Sequence, residues 1–395
     1  MAKIYHFAKF GKLNEKPYGG GEVGNRRTMQ MLKELGYDVI LIHRYCNYKK
    51  KNKWVYLEMI LGDLITVLKM FLFLLFKSRK GAVVHISGFT GSYMPIEWLS
   101  VLLAKILGYN VTYEIRGGGI VGFYNSGGKM YKWLFHSTIK TADNIWSQGL
   151  ENKKLISELS SSSFFHYPNC VSSNFMPSQI SKKSLEPIKA VYVGRLSPVK
   201  NVDVIIDTLY FLRKKGYEMT LDIIGDGVDF PDYVNSLKKQ VEKLGLSSVC
   251  TFHGTLSKAE MKSLLLPASF FLFPSEEPRE GQSNSLTETM SFGIIPIATS
   301  QGYNRSTINC DELICDEITA EAYSNRIISV LSGHGIGFYS LKMYNRVKDC
   351  FTYGNVKEMV DKEYSRIFKS MALDISSFLI IYIGIGNIVV AGNPC

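Results

Sequence analysis

Cysteine is scarce and unpaired in this chain. Seven residues in 395 (Cys46, Cys170, Cys250, Cys310, Cys315, Cys350 and Cys395) are scattered, with no Cys-x-x-Cys among them. An odd set of that kind builds no disulfide framework, and Cys310 with Cys315 lacks the second pair a zinc site needs. Such thiols suit a reducing cytoplasm. The stretch MAKIYHFAKFGK reads as charged too early for a secretory signal. No apolar run reaches the roughly 20 residues that cross a bilayer. Leu64–Phe76, LITVLKMFLFLLF, has thirteen residues and contains Lys69; it follows Lys49, Lys50, Lys51 and Lys53. It reads either as a core helix or as a helix lying on a membrane surface. FLIIYIGIGNIVVAG, near the carboxyl terminus, is interrupted by Gly384, Gly386 and Asn387 and reads as strand-like. Acid is in short supply: 35 Asp and Glu against 46 Lys and Arg leave a net charge of +11. That excess favours anionic partners. Nucleic acid is the least favoured of them, since the cations are dispersed and no aromatic–basic module is present.

What is present is an ordinary globular composition, 46% hydrophobic and 21% charged, in a chain long enough for two domains. KIYHFA, DVILIH, AVVHIS, NVTYEI and NIWSQ read as strands between stretches of helical periodicity such as 22–35 and 95–107. This alternation indicates βαβ units on a parallel sheet. SSNFMPSQISKKSLEPI, at 172–188, is rich in Ser, Lys and Pro and reads as a linker. The pattern then restarts with KAVYVG, MTLDIIG, VCTFHG, SFFLFP and IIPIAT as strands, and with helices over 202–215, 232–244, 258–265 and 286–292. The expected fold is α/β, two Rossmann-like doubly wound domains facing a central cleft. The expected boundaries are 1–175, a linker 176–188, and 189–355, followed by a helix that crosses back and an apolar tail over 356–395. Ligands of open α/β sheets bind outside the carboxyl ends of the strands.

The unusual residues collect in those strand-end loops. RLSPVKN follows KAVYVG and places Arg195 and Lys200 around a strand-to-helix turn, where they could grip a phosphate or merely be solvated. EGQSNSLTE sets Glu280 in a loop and Glu288 in what reads as the first turn of a helix, with Gly281, Gln282, Ser283, Asn284 and Ser285 between them. Ser285 and Glu288 have the spacing of a capping box, and Gly293 would close that helix. The cap would account for Glu288 but not for Glu280. Paired carboxylates suit sugar and ribose hydroxyls. PYGGGEVGNRR brings Gly19, Gly20 and Gly21 to the start of the first helix, and EIRGGG repeats the device after Arg116. Both suggest close approach of backbone to a ligand.

VGRLSPVKNVDVIIDTL, IIGDGVD, VCTFHGTL and FLFPSEEPREGQSNSLTETMSFGIIPIAT stand in the order found in the family 4 glycosyltransferases, which are retaining enzymes of the GT-B fold. The resemblance is marked over 165–331, weaker over 1–46 and 47–165, and absent after about 372. It implies that Arg195 and Lys200 bind the donor diphosphate, that Glu280 contacts the donor sugar, and that Glu288 binds the nucleotide ribose. Gly281–Ser285 would lie along the donor, with Gly20 and Gly21 near the diphosphate or the acceptor. Arg116 stands where many relatives have a histidine, and a cation there could bind phosphate or an acidic acceptor. There is no Asp-x-Asp, and the resemblance implies neither metal nor cofactor, the nucleoside-diphosphate sugar being the donor substrate. The implied partners are a nucleotide sugar, a saccharide or lipid-linked saccharide acceptor and an anionic membrane surface, without nucleic acid. The implied setting is surface-polysaccharide assembly, such as O-antigen or capsule, in the cytoplasm and peripherally on the inner face of the membrane. Two alternatives stand beside it: another GT-B nucleotide-sugar enzyme such as a 2-epimerase, and a non-catalytic protein binding sugar nucleotide or phospholipid.

Overall fold

The computed structural model describes residues 2–15, 17, 19–44, 55–89, 91–183 and 185–389, without the side chains of 55, 56 and 374–389. Lys49, Lys50, Lys51 and Lys53 lie outside the described residues. The first half runs β1 (Lys3–Ala8), α1 (Gly20–Glu34), β2 (Asp38–His43), α2 (Val55–Leu75), β3 (Ala82–Gly88) and α3 (Met94–Ile106). It continues with β4 (Asn110–Ile115), α4 (Ile120–Ser126), α5 (Lys129–Thr141), β5 (Asn144–Ser147), α6 (Lys153–Leu159) and β6 (Ser163–His166). The six strands form a parallel sheet in the order β2-β1-β3-β4-β5-β6.

The second half runs β7 (Ile188–Val193), α7 (Val202–Lys214), β8 (Met219–Ile224), α8 (Pro231–Lys243), β9 (Cys250–Gly254) and α9 (Lys258–Leu265). Then come β10 (Phe270–Phe273), α10 (Asn284–Met290), β11 (Ile295–Ala298), α11 (Asn304–Ile308), α12 (Ala320–Ser332), α13 (Gly335–Cys350) and α14 (Tyr353–Val389). Its five strands are parallel in the order β11-β10-β7-β8-β9. Both sheets reverse strand order at an interior strand, so the loops at their carboxyl ends open on a crevice.

Burial follows from parallel sheets covered on both faces, whose strands are mostly apolar, with His6, His85, Thr112 and Glu114 among the buried polar exceptions. In the first domain α2, α3 and α5 cover one face through Val67, Met70, Val101, Ala104, Phe135 and Ile139. The other face is closed by α1 and by α14, which returns from the second domain at Thr352. Val356, Val360, Tyr364 and Ile367, at helical spacing, pack on Ile4, Leu32, Val83 and Trp146. The tail read as strand-like is helical backbone through Val389. Extending a helix already nucleated at Tyr353 costs little, so elongation overrides the β preference of Ile and Val. Helices α4, α5 and α6 and strand β6, short elements over 120–166, had no counterpart in the sequence pattern.

Candidate active site

The carboxyl ends of β7, β8, β9 and β10 and the amino-terminal end of α1 enclose a cavity of about 1470 Å³ between the domains. Gly20, Arg195, Lys200, Glu280, Ser283, Ser285 and Glu288 line it, together with Asp226, Thr255, Lys258, His43 and Arg44. Residues from loops far apart in sequence thus meet on one surface.

Lys200 anchors the wall. It is 7% exposed, follows the turn after β7, and is ion-paired with Glu280. Its Nζ also donates to Ser275 Oγ at 3.1 Å, and the Ser275 hydroxyl in turn donates to Glu280 Oε2 at 2.9 Å. A cation so far removed from water needs such partners. Arg195 stands exposed beside it on the cavity wall. Across the cleft Gly19 caps α1 and Gly20 begins it, so the amino-terminal, positive end of a fifteen-residue helix borders the same space.

Glu288 is placed differently from the sequence expectation. Ser283, not Ser285, caps α10, its hydroxyl accepting from the Leu286 N–H at 3.3 Å. The helix therefore starts two residues earlier than expected, Glu288 falls in its second turn, and no capping box forms with Ser285. Its carboxylate is instead ion-paired with Lys258, the first residue of α9. The capping box of this region is Ser257 with Glu260, on α9. Lys258 was missed, although it stands directly after a strand-end loop of the kind that supplied Arg195.

Several expected residues lie off the cavity. Gln282 is buried and tied to the first domain: Asn169 N donates to its Oε1 at 2.5 Å, and Asn169 Nδ2 to its carbonyl at 2.7 Å. Asn284 accepts from Arg27 Nη2 at 3.0 Å across the same junction. Gly21 lines a smaller hollow of about 250 Å³ with Phe89, Tyr93, Lys9 and Arg279.

Gly117, Gly118 and Gly119, read as a second ligand-facing loop, meet the other domain instead. A Cβ on Gly118 would lie 1.4 Å from the Glu280 carbonyl oxygen, and one on Gly119 2.2 Å from that of Pro278. Gly281, on the facing loop, has the Arg116 carbonyl 2.7 Å from the place of a Cβ. Gly24 was also overlooked, although Gly19, Gly21 and Gly24 keep a Gly-x-Gly-x-x-Gly spacing. A Cβ there would meet Arg116 Nη1 at 2.0 Å.

Arg116 is 4% exposed and points beneath α1. It pairs with Glu114 at 2.8 Å and donates to Thr28 Oγ1 at 2.6 Å. Glu114 Oε2 also accepts from Ser87 Oγ at 2.7 Å and lies 3.0 Å from His85 Nε2. Burial pushes the Glu114 carboxyl up, but the Arg116 charge and the His85 and Ser87 bonds outweigh it and bring it to about 2. His6, hydrogen-bonded to Ser87 at 3.0 Å, is held well below the usual imidazole range by burial and by His85. Ligand atoms of His6, His85 and Glu114 lie within 4.8 Å of one another. The guanidinium against Glu114 disfavours a further cation there, and the cluster works as a buried polar network.

Residues 177–348 match the family model described as Glycosyl transferases group 1. The second domain is a group 1 glycosyltransferase domain. No curated protein matches the chain. Among solved structures, sucrose-phosphate synthase from Thermosynechococcus elongatus superposes with a TM-score of 0.68 at 15% identity, over 94% of this chain and 100% of that one. A glycosyltransferase from Rickettsia africae gives 0.64 at 18%, over 94% and 98%. Anabaena HepE in complex with UDP gives 0.66 at 12%, over 93% and 100%. At these identities the likeness is one of fold, and it establishes the two-domain GT-B architecture across the chain.

Proposed function

We propose that the chain is a retaining, family 4-like transferase. It moves a hexosyl group from a nucleoside-diphosphate sugar to a saccharide acceptor. The observation that carries this reading is the Lys200–Ser275–Glu280 cluster, set beside Arg195 and facing the start of α1 across the cavity. A diphosphate between those groups would meet two cations and the positive end of α1, and Glu280 would lie next to it for the hydroxyls of the sugar. Glu288 and Lys258, further along the wall, suit the ribose.

The glycosidic carbon–oxygen bond breaks with its electron pair passing to the departing diphosphate oxygen. Lys200, Arg195 and the α1 terminus stabilise that growing charge. The acceptor hydroxyl attacks from the same face, and its proton passes to the oxygen that leaves. Arg116, paired with Glu114 under α1, supports the scaffold here and makes no contact with the donor. The acceptor is a lipid-linked saccharide at the inner face of the cell membrane, in surface-polysaccharide assembly. The charge excess and the apolar α2 support that setting.

The test is release of nucleoside diphosphate from UDP-, GDP- and ADP-sugars, including slow transfer to water, with NMR of the product's anomeric configuration. One donor should be consumed with retention, and Lys200→Ala should slow it by roughly 100-fold or more. Equal release from the variant, or none from any donor, would sink the proposal.

A further inference from the structure

The outer side of α2 shows an apolar stripe with nothing among the described residues packed on it. Leu57, Leu61, Leu64, Leu68, Leu72 and Leu75, spaced three or four residues apart, are each 40–56% exposed, and Phe76 after them is 82% exposed. The opposite side, Val67, Met70 and Leu74, is fully buried on the sheet. A helix apolar on both sides is normally covered on both, and a contiguous exposed stripe of this size marks a contact surface. The helix has 21 residues, so the stripe is about 30 Å long. On the same layer α3 packs between α2 and α5, and α5 adds Trp133, 57% exposed.

The charge around the stripe is predominantly positive, with Glu58 in the first turn of α2 as its one half-buried acid. Lys69, Lys77, Arg79 and Lys80 are exposed on α2 and the loop after it. Between 55 and 142 the acids are Glu58, Asp63, Glu97 and Glu114, and the last three are buried. Among the described residues no helix is long and apolar enough to cross a membrane.

We infer that the α2 face, with Trp133, lies flat on a bilayer surface containing anionic lipid. The leucines enter the acyl boundary, and the cations meet the headgroups. The inference rests on the membrane placement in the proposed function and names the surface responsible for it. It also brings lipid to the cleft. Asp63 on α2 and Glu97 on α3 hold Arg44 at 3.3 and 3.2 Å, and Arg44 lines the cavity. An acceptor carried on a lipid would thus enter past the edge of the helix that touches the membrane.

The experiment is co-sedimentation of the full chain with vesicles of phosphatidylcholine alone and of phosphatidylcholine with phosphatidylglycerol. It compares the wild type, Leu61→Gln/Leu64→Gln/Leu68→Gln and Lys77→Glu/Lys80→Glu. Melting temperatures confirm that the variants are folded, and no step depends on glycosyl transfer. The wild type should sediment with the anionic vesicles, less so at raised salt. The triple variant should bind at least roughly tenfold more weakly, and the charge variant should lose the preference for phosphatidylglycerol. Three results would overturn the inference: a wild type that stays in the supernatant, a triple variant that binds like the wild type, or a dimer in sedimentation velocity that the triple variant breaks.

Discussion

Lys200 and Glu280 hold each other in a cavity wall where either alone would be an uncompensated charge. Glu288 is likewise ion-paired, with Lys258, but that lysine is 61% exposed and solvated. On the proposed reading a bound donor would take over part of each pair, and each pair holds its charges in place without one. Removing the Glu288 carboxylate as Glu288→Gln should weaken nucleotide binding by about 1.5–3 kcal/mol, the range for hydrogen bonds to charged groups, measured by calorimetry. His6 makes a prediction about acid stability. Its folded-state pKa is depressed by burial, so below pH 6.5 the unfolded chain binds more protons and stability falls as pH falls. His166, lowered to about 4 by burial, adds to the loss between pH 6.5 and 4. Urea unfolding between pH 7 and 5 should show a decline that is shallower in His6→Gln; an equal slope would remove His6 as a cause. Glu280, Glu288, Arg195 and Lys200 were expected around one cleft, and all four line the cavity. The role of Gln282 was not legible in the sequence, because its partner Asn169 lies 113 residues away and only the fold brings them together.

Among the elements, the strands 3–8, 38–43 and 110–115 were legible to the residue, since short stretches rich in apolar and β-branched residues alternate there with helical patterns. The start of α10 was not, because Ser283 and Ser285 compete for the same cap and geometry alone decides. The Gly117–Gly119 loop shows the same limit: a glycine facing a ligand and one facing another domain look alike in sequence. Gly118→Ala should drive the first-domain loop off the Glu280 carbonyl. The expected cost is about 3 kcal/mol or more, read as a lower melting temperature with weakened nucleotide binding. Unchanged melting would mean the two loops do not meet. On α14, the Tyr364 hydroxyl lies 2.5 Å from His85 Nδ1 in the first-domain core. Tyr364→Phe leaves that buried nitrogen without its partner and should cost about 1–3 kcal/mol in urea unfolding.

At the scale of the molecule, two doubly wound sheets present their carboxyl ends to one another, and small polar contacts set their separation. Tyr303 OH donates to the Gly117 carbonyl at 2.5 Å and accepts from Asn152 Nδ2 at 2.7 Å. The Ser306 backbone N–H and hydroxyl both donate to Glu151, at 2.9 and 2.8 Å. With α14 strapped across the first domain, these contacts fix the width of the cleft into which Lys200, Glu280 and the start of α1 point. The two-domain plan was legible because the βα alternation stops at 172–188 and restarts; the interface was not, because its polar contacts join residues without a local pattern. The central claim is that this cleft binds a nucleoside diphosphate through those groups. Calorimetry of UDP, GDP and ADP against the wild type and Lys200→Ala tests it most directly. The account predicts that one nucleotide binds the wild type and that Lys200→Ala weakens it by roughly ten- to a hundredfold. Binding of none of them, or equal binding by the variant, would contradict it.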